Sequence, residues 1–362
     1  MTPGLGSRLT GKLLRQFGSP EGIFRASLTE LEACRLPSAP AHAIQSRQAR
    51  KDAEEELARI RKLGCVLLNW DEPEYPQRLL EIYDPPPLLY VRGDPSVLNR
   101  HSISMVGTRR PTPYGNQVAE RLGRDLAERG LTIVSGMARG IDSSAHQGAC
   151  RALHGATVGV LGTGVDVIYP KENRKLFGEV EKRGALISEF PLGSHPAPEN
   201  FPVRNRIVAG MSLGVVVVQG AQYSGSLITA RLGMEFGREV YGIPGNITAD
   251  VSFAPNQLIK QGAKLVTSWE DVVEELPTEI RAELFPVETT TSAERASLFA
   301  DALSPLEKKV FGLLSVDEAV HVDELVEKSE LTSSEVLVAL CEMEMKGIVR
   351  QMPGKQFVKV LL

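Results

Sequence analysis

The sequence predicts an α/β protein, a Rossmann-like doubly wound parallel sheet over residues 64–280, flanked by smaller helical modules. Three observations carry this. From residue 101, seven short apolar runs follow one another: HSISMVG, LTIVSG, ATVGVLG, GALISEF, LGVVVVQG, REVYGIP and AKLVTS. Between them lie helical patterns such as NQVAERLGRDLAERG, where Val118, Leu122 and Leu126 recur at i, i+4. The runs are apolar throughout rather than alternating, as strands covered on both faces of a parallel sheet must be.

The elements follow in chain order. Residues 1–63 predict a helical domain, since LTGKLLRQF and SLTELEACRL show helical apolar spacing and QSRQARKDAEEELARIRKLG reads as a long charged helix. Residues 64–99 predict a connector holding one apolar β-strand, CVLLNW, and a proline-rich stretch, YDPPPLLYVRGDP. A polar, acidic linker, containing PVETTTSAE, is expected at 281–303. Residues 304–362 read as helix (SPLEKKVFGLLS), helix (HVDELVEKS), helix (TSSEVLVALCEMEMKG) and two short strands around Pro353-Gly354. Three helices followed by a β-wing form a winged-helix pattern.

Composition narrows the function classes. With 42% hydrophobic and 24% charged residues, the 362-residue chain has the balance of an ordinary globular protein of two or three domains. No run approaches the ~20 apolar residues of a membrane span, and the N-terminus carries no signal-like apolar run. Cys34, Cys65, Cys150 and Cys341 are scattered without a CxxC pair, so a cytoplasmic protein without disulfides or zinc is expected. The net charge of −4 is unevenly spread: residues 1–269 hold 32 Lys+Arg against 26 Asp+Glu, and the acidity lies beyond them. A mildly basic body is compatible with a polyanionic partner.

Ligands of parallel α/β sheets gather where strands end and helices begin. Four glycine-containing turns fall there: Gly107-Thr108-Arg109-Arg110, Ser135-Gly136-Met137-Ala138-Arg139-Gly140, Gly162-Thr163-Gly164-Val165-Asp166 and Ser224-Gly225-Ser226. Arg109 and Arg139 bring guanidinium groups suited to phosphate oxygens. Lys171, Arg174 and Lys175 follow Tyr169-Pro170, and Arg204 and Arg206 stand in PVRNRIVAG. The rim is therefore expected to bind phosphate. No aromatic lies within the four turns, so little base preference from stacking is expected.

NAD and FAD fit the turns poorly, and ATP binding is not expected at the one Walker-like segment. GTGVDV departs from GxGxxG, and GSRLTGKL at 6–13 imitates a Walker A loop with Leu13 in place of the Ser/Thr and no strand before it. No GxSxG elbow occurs; Gln222 stands where the first glycine before Ser224 would be. Asp142, His146, Cys150 and His154 follow one another on a helical face, which capping and packing explain better than a metal or nucleophile. Binding without catalysis, cofactor or metal is expected.

The blocks VGTRRPTPYG, SGMARGIDSSAHQGA, VLGTGVDVIYPKEN, LISEFPLG, FPVRNRIVAGMS, SGSLITARLGMEFGREVYGIPG and NQLIKQGA occur in the order and spacing of a known family. Over residues 65–275 the chain resembles the DprA/Smf family of bacterial DNA-processing proteins. The resemblance implies a Rossmann-like domain that binds single-stranded DNA, forms a homodimer and helps load the RecA recombinase during natural transformation. It puts the family's phosphate-cradling turn on Gly107, Thr108 and Arg109 and its basic YPxxN segment on Lys171 and Asn173. Where some relatives carry a lysine before the FPxRNR block, this chain has Pro198, Glu199 and Asn200. Residues 4–44 resemble a helix-hairpin-helix or SAM-like module, with Gly4-Leu5-Gly6 at the first hairpin.

The DNA-binding set expected from all this is Gly107, Thr108, Arg109, Arg110, Gly136, Arg139, Gly140, Lys171, Asn173, Arg174, Lys175, Arg204, Arg206, Ser224 and Ser226. In the tail, residues 333–346 stand where a recognition helix would, yet carry Glu335, Glu342 and Glu344 against Lys346 alone. Phosphates repel such a helix, so a protein-contact element or a degenerate DNA binder is expected there. The competing readings are a nucleotide-processing Rossmann enzyme of the lysine-decarboxylase-like (phosphoribohydrolase) kind and a winged-helix transcription regulator. The first would need PGGxGTxxE where SGSLITARLGMEFG stands.

Overall fold

A computed structural model describes residues 2, 4–47, 50–285, 303–315, 319–346 and 348–359. The chain divides into two compact units, Met1–Phe285 and Pro286–Leu362.

The first unit opens with five helices, α1 (Ser7–Phe17), α2 (Pro20–Arg25), α3 (Leu28–Ala33), α4 (Ser38–Gln45) and α5 (Arg50–Leu63). Local chemistry sets their ends: Ser19 and Ser27 cap α2 and α3 by accepting N–H groups from Gly22 and Glu30. Leu13, Ile23, Leu31 and Ile44 form a separate small core beneath them.

A nine-stranded sheet follows, built from β1 (Val66–Asn69), β2 (Leu88–Gly93), β3 (Ser102–Val106), β4 (Thr132–Ser135), β5 (Thr157–Val160), β6 (Gly184–Ser188), β7 (Gly214–Val217), β8 (Glu239–Gly242) and β9 (Lys264–Leu265). All seven apolar runs from residue 101 are strands. Their spatial order is β1-β2-β6-β5-β4-β3-β7-β8-β9, parallel from β6 to β9. β2 pairs antiparallel with both β1 and β6. It was not anticipated from the proline-rich stretch, because Pro85-Pro86-Pro87 masked the short run LLYVRG that follows.

The helices α6 (Pro113–Glu128), α7 (Ile141–Arg151), α8 (Arg174–Arg183), α9 (Asn200–Gly210), α10 (Gly225–Glu235), α11 (Phe253–Lys260), α12 (Trp269–Glu274) and α13 (Thr278–Leu284) accompany the sheet. Apolar residues bury both of its faces. Val106, Val134, Val158 and Val215 belong to one cluster, and Ile103, Met105, Ile133 and Val216 to another. Winding runs outward from β3 through β4, β5 and β6, then returns to β7 beside β3. The carboxyl ends of β3 and β7 therefore border a topological switch point, where an open α/β sheet leaves a crevice.

α13 runs past residue 280, with Ile280 and Leu284 packed on the second cluster, so the expected linker begins within a helix. The rest of that linker, 286–302, lies outside the described residues.

In the second unit, helices Pro305–Leu313, Val322–Ser329 and Ser333–Met345 precede the hairpin Val349–Met352/Gln356–Lys359. A two-residue strand, Val320–His321, pairs with the hairpin's second strand and completes the winged-helix fold. Val310, Leu325, Val336, Leu340, Met343 and Phe357 fill a core of its own.

Candidate nucleic-acid interface

At the switch point a groove of about 1360 Å³ runs between the β3 turn, the start of α9, the β7–α10 turn and the loop before α11. The geometry begins with the β3 turn. A side chain on Gly107 would strike Ile141 Cγ1 at 2.6 Å and the Gln219 carbonyl at 2.7 Å. Close packing thus explains this glycine. The Thr108 N–H donates to that same carbonyl at 2.7 Å, so it is already committed and cannot cradle a phosphate. Arg109 and Arg110 stay exposed at the lip. The Arg109 guanidinium lies 5.5 Å from the Phe201 ring centre, and among the described residues neither arginine forms an ion pair. An arginine engaged by a ring rather than a carboxylate keeps its full charge available.

Four aromatic side chains from separate segments line this groove: Tyr169 and Tyr223 from loops, Phe201 from the first turn of α9 and Phe253 from the start of α11. Tyr169 and Phe201 lie 5.7 Å apart in a tilted pair, and Tyr223 is 93% exposed. The rings lie outside the four turns, and stacking on aromatic faces is sequence-tolerant, so the expectation of little base preference is left as it stood. Lys260, at the end of α11, is a further groove cation that sequence reasoning missed. It stands in NQLIKQGA, and nothing local shows that α11 turns the face carrying Phe253, Asn256, Gln257 and Lys260 to the groove.

Ser224 caps α10, accepting the Ser226 N–H, and both serines line the groove with their hydroxyls 2.8 Å apart. Gly136 is buried, with its N–H donated to Asp142 Oδ2 at 3.1 Å. Asp142 also accepts from Ala138, so it ties down the β4 turn instead of capping α7, whose cap is Gly140. Burial pushes the Asp142 carboxyl up, against the pull of Arg204. His146 is fully buried, its Nδ1 2.7 Å from Thr157 Oγ1, and burial holds it neutral by lowering its pKa to about 3. His154 falls beyond α7 and is exposed, so the expected helical face ends at Cys150.

The other basic residues divide. Arg204 is 95% buried, lines the groove, and has no hydrogen-bond partner at Nε. Arg206, two residues on, does not reach the groove. It grips Glu189 with two bonds of 2.7 and 2.8 Å, approaches Asp84 at 3.2 Å and donates to Ser7 Oγ. The structure does not bring it together with Arg204, because a helix turns about 200° over two residues and sends the pair to opposite sides. Asn173 also lies outside the groove: its amide donates to the Met137 carbonyl and Ser143 Oγ, holding the β4 turn. Arg139 is exposed but meets Glu172 at 2.5 Å. Lys171, Arg174 and Lys175 are exposed beyond the groove wall, near Tyr169-Pro170.

In the second unit, Lys346 meets the buried Glu307 at 2.5 Å. That pairing leaves the helix Ser333–Met345 with an acidic exposed surface.

Comparison with known proteins gives a consistent result. Residues 66–277 match the family described as DNA recombination-mediator protein A, and residues 293–355 match the DprA winged helix domain. Protein Smf of Escherichia coli is 38% identical over 308 residues, covering 84% of this chain and 80% of that protein. Among solved structures, DNA processing protein A of Streptococcus pneumoniae aligns with a TM-score of 0.69 at 34% identity, covering 76% of this chain and 95% of that one. The Helicobacter pylori DNA processing protein A, described for its single-stranded DNA binding mode, aligns with a TM-score of 0.53 at 30% identity, covering 58% and 94%.

Proposed function

We propose, from the premise that the chain belongs to the DprA/Smf family of DNA recombination-mediator proteins, that its groove binds single-stranded DNA. The carrying observation is Arg109 at the lip of the switch-point groove, stacked on Phe201 and without a carboxylate partner among the described residues. Arg110 and Lys260 extend the positive wall, Arg139, Lys171, Arg174 and Lys175 extend it outside, and Tyr169, Tyr223 and Phe253 offer stacking faces. Charge plus exposed rings is the combination that holds unpaired strands. Paired bases would leave the rings unused.

The protein acts without catalysis in this reading. Asp142 is spent on two backbone amides and His146 is shut in the core, which supports binding over acid–base chemistry. Protection of incoming DNA and delivery of the strand to RecA, by a cytoplasmic homodimer, complete the proposal. They rest on the family and on the acidic winged-helix surface, which suits a protein partner.

The test is anisotropy titration of oligo-dT and a duplex of equal length. Tighter binding of oligo-dT is expected, and equal affinity sinks the reading. RecA filament formation on a precoated strand should quicken when the chain is added; an unchanged rate removes the RecA part alone.

A further inference from the structure

Beneath the groove a second, smaller cavity of about 50 Å³ opens between the turns after β4 and β5, behind Phe201. Arg204 lines both spaces. The residue is 95% buried, forms no ion pair among the described residues, and has a buried Nε without a hydrogen-bond acceptor. A buried charge so placed is costly until an anion joins it. The chain makes room for it deliberately: a methyl group on Gly136 would overlap Arg204 Nη1. Across the cavity, no described residue accepts the N–H of Gly162 or Thr163, although both residues line it. Asp142, the nearby carboxylate that attracts Arg204, already accepts two amides. The cavity is thus lined by a buried arginine and by two residues whose N–H groups have no acceptor among the described residues.

Met137 and Leu161, at 0% and 2% exposure, form part of its wall. At about 50 Å³ the space takes one phosphate group and leaves no room for the sugars on both sides of a diester threading through it. A terminal phosphate has a sugar on one side only and offers three oxygens to these donors, where a diester offers two.

Resting on the single-strand reading above, we propose that this cavity seats a terminal phosphate, so that the groove holds one end of a DNA strand.

The test uses the full chain and a short dT oligonucleotide in three forms: 5′-phosphorylated, 3′-phosphorylated and unphosphorylated. At least one phosphorylated form should bind about tenfold more tightly than the unphosphorylated one, and which form does so identifies the end. In Arg204→Met the ratio should fall to about one. Methionine has similar reach and breaks no hydrogen bond or ion pair found among the described residues, and Asp142 keeps its two backbone amides, so folding should survive, as circular dichroism and urea melts would check. Independently of any variant's affinity, inorganic phosphate should raise the melting temperature of the wild type and not of Arg204→Met. Equal binding of all three forms by the wild type overturns the seat while leaving single-strand binding standing. A phosphate advantage that persists in Arg204→Met also overturns it. Absence of binding to every form overturns the single-strand reading itself.

Discussion

Replacing Arg109 by alanine is the sharpest probe of the groove. The guanidinium is exposed, 5.5 Å from the Phe201 ring, and bound to no carboxylate among the described residues. Its removal should therefore leave the fold intact and act on the ligand. A charge-assisted contact is worth ~1.5–3 kcal/mol, which is roughly a 10- to 150-fold loss of oligo-dT affinity. One phosphate contact fewer should also flatten the plot of log affinity against log salt by a slope of about 0.7. Phe201 refines the argument. If the ring holds Arg109 in its binding position, Phe201→Ala should weaken binding too, and the double variant should lose less than the two single losses combined. The expected coupling is about 0.5–1 kcal/mol, the size of an exposed cation–π contact. Anisotropy titrations of four proteins across salt concentrations supply all these quantities. Wild-type affinity and an unchanged salt slope in Arg109→Ala would falsify the groove assignment.

Further outcomes follow from neighbouring residues. Arg206→Gln leaves Glu189 and Asp84 without their partner in a nearly buried site, so unfolding stability should drop by about 3–5 kcal/mol; urea melts showing a change under 1 kcal/mol would contradict the clamp. His146 titrates near 6.5 when unfolded and at about 3 when folded. Because its folded value is depressed, its contribution is present above pH 6.5 and fades as pH falls toward 3, by roughly 2 kcal/mol between pH 7 and 5. Denaturation at both pH values should show a flatter dependence in His146→Gln, and an identical slope would discount the buried imidazole. Deleting residues 304–362 should preserve oligo-dT binding, since the second unit has its own core and an acidic helix; losing most affinity would move the site there.

The central sheet was legible because each parallel strand is apolar on both faces, and the four turns were legible because glycine and arginine mark strand ends. Arg204 and Arg206 were not separable by residue type. Only the helical phase of α9 divides them, sending one beneath the groove and the other to Glu189 and Asp84. The aromatic faces were hidden for a different reason. Tyr169, Phe201, Tyr223 and Phe253 come from two loops and two helix starts distant in sequence, and the sheet's winding order assembles them. Thr108 shows the converse, a residue correctly placed in its turn whose amide had already been taken by a neighbouring strand's exit.

The two margins of the sheet bear on how the protein behaves when concentrated. An exposed strand is a template on which another chain can stack its backbone, the first step toward aggregation. Here the β9 margin is only two residues long, and its Lys264 is held between Glu274 and Glu275. The β1 margin is four residues, flanked by the charged helix α5. Neither offers enough backbone for sheet-to-sheet growth. Copies of the folded chain brought close together are therefore not led to grow edge to edge.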